Sequence, residues 1–103
     1  MRLAEVIGRV TLSQCDPTVT GGTWIVAVPL LAEGIAAIAA GNSTNSSGAG
    51  REEAIIVYDD LGASPGDIIA VSEGAEASAP FHPDSKPLDA YNACLLDKIE
   101  LTN

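Results

Sequence analysis

Residues 3–13 alternate in polarity. Ala4, Val6, Gly8, Val10 and Leu12 hold one set of positions, while Glu5, Arg9, Thr11 and Ser13 dominate the other. A period of two predicts a strand with one buried face. SQCDPTVTGG follows, rich in turn formers, and reads as a loop. TWIVAVPL, residues 23–30, is apolar on both sets: Trp24, Val26 and Val28 on one, Ile25 and Ala27 on the other. Pro29 has no N–H to give a ladder, so this strand ends there or runs along an edge. AIIVYD (54–59) and DIIAVS (67–72) predict two further strands, again apolar on both sides. Near the C-terminus, Leu88, Tyr91, Leu95 and Leu96 fit a helical face, whereas ACLLDKIEL also alternates. The pattern predicts a short helical turn near 88–91 and then a strand from about 92 to 101.

Two regions fall outside this strand pattern. In 31–53, LAEGIAAIAA predicts a short helix weakened by Gly34, and GNSTNSSGAG is a low-complexity tract. The region reads as a flexible insertion in a surface loop, where added length is tolerated. EGAEASAPFHPDSKP, with Pro80, Pro83 and Pro87, reads as an irregular connection.

Five strands in 103 residues make one small all-β domain spanning 1–103. A single-layer barrel buries its inner face and wets its outer one, which demands alternation. Only the first strand, and in part the last, alternates well. Hydrophobic residues make up 47% of the chain but aromatics only 4%, so a solitary core is thin. A neighbouring copy is the simplest supplier of the missing apolar surface, which predicts an obligate homo-oligomer. Trp24, Ile25, Val57 and Ile69 are the expected interface residues.

Charge narrows the partners. The formal net charge is −9 at pH 7, with five Lys and Arg residues scattered along the chain. Binding phosphates requires clustered cations, so nucleic acid and anionic membrane surfaces are not expected. No apolar run approaches the roughly 20 residues of a membrane span. MRLAEVIGRV lacks the apolar core of a signal peptide, which predicts a cytosolic protein. Cys15 and Cys94 are then expected as free thiols, and their spacing matches no zinc or redox motif. The glycosylation patterns at Asn42 and Asn45 are idle without secretion.

Candidate chemistry is sparse. His82 is the single histidine, in PFHPD, with Asp84 or Asp59 as conceivable partners. A catalytic histidine needs an oriented nucleophile or acid beside it. No nucleophile elbow, P-loop or dinucleotide fingerprint occurs. Asp59, Asp60 and Asp67 lack the spacing of a calcium loop. No enzyme activity, metal or cofactor is expected. Trp24 and Tyr58 leave one binding alternative, a small OB-like module stacking a polar ligand.

Four pieces resemble one family. MRLAEVIGRVTLS is similar to the first strand of EutN/CcmL bacterial microcompartment vertex proteins, and GGTWIVAVPL to their second. YDDLGASPGDIIAVSEGAEA resembles their D-x-x-G-A-G-x-G-[DE] turn and following strand. Asp59 or Asp60 takes the first acid, Gly62 and Ala63 the G-A, Gly66 the last Gly and Asp67 the final acid. Ser64 stands where the family has Gly. KPLDAYNACLLDKIEL resembles the closing segment. The likeness covers about 1–30 and 54–101. It implies a small five-stranded OB-like β-barrel forming a cyclic pentamer. Such pentamers cap five-fold vertices of a shell in the bacterial cytoplasm and contact hexameric or pseudohexameric shell proteins. By the same resemblance, the turn Gly62, Ala63, Ser64, Pro65, Gly66, Asp67 is expected near the five-fold axis. Five copies of an axial acid repel, so Asp67 is expected to pair, to accept from backbone N–H groups, or to point outward.

Overall fold

The computed structural model describes residues 1–11, 22–41, 50–82 and 88–101. Five strands form in chain order: β1 (Arg2–Val10), β2 (Thr23–Pro29), β3 (Ile55–Asp59), β4 (Ile68–Glu73) and β5 (Ala90–Leu95). A helix α1 (Ala32–Ala39) follows β2, and a 3-10 helix (Gly74–Phe81) follows β4. The strands close into a barrel in the order β1-β2-β3-β5-β4. Only β3 and β5 run parallel, meeting at Tyr58 and Tyr91. Closure pairs every strand on both sides and leaves no open edge.

Alternation decides the core. Ala4 and Val6 of β1, Ile25 and Ala27 of β2, Val57 of β3, and Ile69 and Val71 of β4 point inward, joined by Ala63 and Ala90. Three of the nine are β-branched valines and four are alanines, which suits a narrow barrel interior. A register shift between Val6 and Gly8 in the β1–β2 ladder leaves Ile7 unpaired and 46% exposed, and carries Gly8 to the outer face beside Val26. Such a bulge is a usual way to bend a barrel strand.

The expected helix is present at Ala32–Ala39, held by a close backbone approach. Leu31 N–H donates to the Gly50 carbonyl at 2.7 Å, and Gly34 is buried against that same carbonyl. Leu30 bridges Arg51, and Glu52 N–H donates to the Pro29 carbonyl at 3.0 Å. Arg51 also pairs with Glu5 at 2.8 Å, with both side chains largely covered. Residues 50–52 are therefore docked on the barrel wall.

Several expectations are corrected. Residues 74–81 are helical rather than irregular. The turn near 88–91 is not helical, because β5 begins at Ala90. Its ladder with β4 pairs Glu73 with Ala90 and Ser72 with Tyr91, and it buries Ala90 and Asn92. The strand then ends at Leu95, and Leu96 N–H makes one more bond, to the Ile68 carbonyl at 2.9 Å. Ile25, Val57 and Ile69, expected at a subunit interface, lie inside the barrel: their exposures are 1%, 0% and 0%, all covered by this chain's own residues. Their neighbours in the alternation carry the outward apolar surface instead. No helix among the described residues is long and apolar enough to cross a membrane. Cys15, Asn42, Asn45, Pro83, Asp84 and Pro87 lie outside the described residues.

Candidate functional site

The turn between β3 and β4 is built from its first acid. Asp59 ends β3 with 1% exposure. Its Oδ1 accepts from Leu61 N–H at 3.0 Å and from Asn92 Nδ2 at 2.8 Å, and its Oδ2 accepts from Ala63 N–H at 2.8 Å. A buried carboxylate is tolerable when donors surround it in this way. The chain reverses at Gly62 (φ 84°) and again at Gly66 (φ 95°), a region that a Cβ disfavours. Ala63 turns inward to the core, while Gly62, Ser64, Pro65 and Gly66 remain exposed.

The far end of the turn is tied to β1. Gly66 N–H donates to the Val6 carbonyl at 2.8 Å, and Val6 N–H donates to the Asp67 carbonyl at 2.9 Å. Both bonds fall beside the β1 bulge. Asp67 Oδ2 accepts from Ser64 N–H at 2.8 Å, closing a small acidic cap. Asp67 is thus held by a backbone N–H group, one of the arrangements expected of it. Ser64 occupies its place without positive φ, so the missing Gly costs nothing there.

No sequence pattern points to Asn92. It is fully buried, and its Nδ2 orients Asp59. Its Oδ1 has no partner among the described residues, a burden of about 1–3 kcal/mol. No spacing rule connects residues 59 and 92; only the β3–β5 neighbourhood brings them together.

The aromatics cluster rather than present an open face. Trp24 meets Tyr58 edge-on at 5.4 Å, Tyr58 meets Phe81 at 5.9 Å, and Phe81 meets Tyr91 at 5.0 Å. Tyr58 is 4% exposed, and a side chain at Gly22 would run into its ring. The pair works as packing, not as a stacking platform. Tyr91 Oη donates to Asp60 Oδ1 at 2.9 Å. Burial pushes the Tyr91 phenol up to about 12, helped by the bond to Asp60. Burial, with the Asp60 charge behind it, raises Tyr58 as well.

Of the conceivable partners for His82, Asp84 lies outside the described residues and Asp59 is engaged elsewhere. His82 is exposed, while both Asp59 oxygens face the turn donors and Asn92. The described residues contain no group of three or more His, Cys, Asp or Glu placed to hold a metal. Cys94 is an exposed free thiol. Arg2 clamps Glu73 of β4 and reaches Glu52, and that guanidinium lowers the Glu73 carboxyl below its usual range.

What remains is surface. Gly8, Val26 and Ile56 lie in one row across β1, β2 and β3, on the face opposite the core set. Ile56 is 44% exposed, close to the value for Ile7. Leu95, at the end of β5, and Leu101 are 43% and 56% exposed.

Known proteins share this architecture. Over 99% of its length the chain is similar to all of the GrpN pentameric microcompartment shell protein from Rhodospirillum rubrum, with 22% identity and a TM-score of 0.71. Gloeobacter violaceus CcmL matches 98% of the chain over 90% of its own, with 18% identity and a TM-score of 0.72. The ethanolamine utilization protein EutN from Escherichia coli matches 98% over 89%, with 15% identity and a TM-score of 0.72. No curated protein sequence matches. At these identities the likeness is one of fold. The family described as Ethanolamine utilisation protein EutN/carboxysome matches residues 1–97, nearly the whole chain. The chain belongs to the EutN/CcmL family.

Proposed function

We propose that this chain is a structural subunit of a bacterial microcompartment shell, forming homopentamers that cap its five-fold vertices. The family match over residues 1–97 carries this reading. The pentameric shell proteins among the solved structures of the same fold support it. Its role is geometric rather than catalytic. A sheet of hexagonal tiles stays flat, and closing it requires five-fold points. A subunit for that position needs a stiff body and two different flanks, because a ring repeats one heterologous contact. The closed barrel supplies the stiffness, and the outward apolar row of Val26 and Ile56 with exposed Ile7 supplies one candidate flank.

The further partners are hexameric or pseudohexameric shell proteins, met in the bacterial cytoplasm where the shell assembles. Residues 62–67 are the candidate axial loop, since exposed Gly62, Ser64 and Gly66 let several copies approach. The test is co-assembly. Hexameric shell protein from the same bacterium, mixed with this chain, gives closed polyhedral particles by electron microscopy and gives open sheets or tubes without it. Unchanged open sheets in the presence of the chain contradict the vertex role.

A further inference from the structure

We propose that helix α1 of one copy lies across the outer row of Gly8, Val26 and Ile56 of the next copy in the ring. This rests on the pentamer reading and adds to it the two surfaces that meet.

Helix α1 is apolar nearly all round, with Glu33 its single polar residue. A helix of that kind belongs in an interior. Here only Gly34 is buried, where it sits against the Gly50 carbonyl. Ala32, Ile35, Ala36 and Ala39 fall at i, i+3, i+4 and i+7 and so share one face. Ala32 and Ala36 are exposed, and Ile35 and Ala39 are half-buried. The subunit's own barrel therefore leaves this face uncovered.

The second surface is bare sheet. Phe81 of the 3-10 helix packs on Tyr58, and residues 50–52 dock beside the end of β2. Between these coverings, Gly8, Val26 and Ile56 lie side by side on β1, β2 and β3 and face outward. Ile56 is 44% exposed. A Cβ built on Gly8 would meet only the Val26 Cβ, at 4.0 Å, so the row has a low, open floor there. The two surfaces suit each other in size, because small alanines let a helix come close and the Gly8 floor receives the larger Ile35. They suit each other in charge as well. Copies of net charge −9 repel, and they meet at least cost where acids are absent, as on this helix face and on this row. Helix face and row are different patches, so the contact is heterologous and repeats around a ring.

The test joins the two surfaces chemically. In a Cys15→Ser, Cys94→Ser background, Ala36→Cys, Ile56→Cys and the double variant are treated with a short bismaleimide linker, with thermal melts confirming folding. The double variant is expected to run on denaturing gels as a ladder of up to five chains, and each single variant as one chain. Ala36→Glu and Ile56→Glu are compared with wild type by native mass across a dilution series. Each is expected to raise the apparent subunit dissociation constant about tenfold or more, because an acid buried in an apolar contact lacks a partner. Wild-type pentamers whose double cysteine variant gives no ladder, or whose single variants link equally well, overturn this contact while leaving the pentamer standing. Pentamers that both glutamate variants leave unchanged overturn it too, and their failure to co-assemble with hexameric shell protein would assign the helix to that partner instead. A wild-type monomer overturns the pentamer reading beneath it.

Discussion

Asp59 and Asn92 meet inside the barrel at 2.8 Å, the amide of one donating to the carboxylate of the other across 33 positions of sequence. The same carboxylate holds Leu61 and Ala63 N–H, so one buried acid sets the path of the turn. Asp59→Ala leaves these donors unmatched in a dry interior. It should cost about 3 kcal/mol or more. That corresponds to a fall in Tm on the order of 15 °C. A melt within two or three degrees of wild type would mean that the turn stands without its anchor.

Much of this was readable beforehand. Alternation in 3–13 places Ala4 and Val6 inward as the structure has them, but Gly8 and Val10, expected on the same face, lie on the outer one because the β1 register shift reverses the phase; the apolar runs at 23–30, 54–59 and 67–72 each form a strand. The turn was legible too, because Gly62 and Gly66 stand where the backbone needs positive φ. Two-faced apolar strands were harder to read. Ile25 and Val57 looked like surplus surface because their strand neighbours are apolar as well, and only barrel closure decides which set is inside. Asn92 was invisible for a related reason: a polar residue in a strand is read as outward unless its buried partner is known. The 3-10 helix at 74–81 was hidden by Pro80, which marks a break in sequence yet is accommodated near the end of a short helix.

The two glycine types should separate cleanly. Gly66→Ala forces a Cβ onto a φ of 95° and should cost about 1–2 kcal/mol. Gly8→Ala meets only the Val26 Cβ at 4.0 Å without positive φ, so its effect should stay within about 0.5 kcal/mol. Urea midpoints of the two variants provide the check, and equal losses would refute the distinction.

Gly34 opposes two effects. Alanine favours the α1 backbone by about 1 kcal/mol over glycine. Its Cβ, however, would press on the Gly50 carbonyl oxygen, which is backbone and cannot swing away. The clash should win. Gly34→Ala is expected to loosen α1 from the barrel, seen as faster hydrogen exchange in 32–39 with the barrel amides little changed. Slower exchange there would show that propensity prevails.

Alkaline pH gives a titration test. Tyr91 stays a phenol up to about 12 in the folded chain because of burial first and Asp60 second, against an ordinary value of 10.0. The unfolded chain therefore loses this proton first. The resulting stabilisation is complete below pH 10 and is lost as pH rises from there through the folded value. Ultraviolet titration should show both tyrosines ionising above the ordinary phenol value, and Asp60→Asn should bring Tyr91 earlier. A wild-type tyrosine that ionises near 10 would contradict the geometry around Asp60.

The ring itself is tested most directly by native mass spectrometry of the purified chain at micromolar concentration. The account requires a dominant species of five times the 10.5 kDa subunit mass, persisting on moderate dilution. A stable single chain, or a ring of any other number, would contradict it.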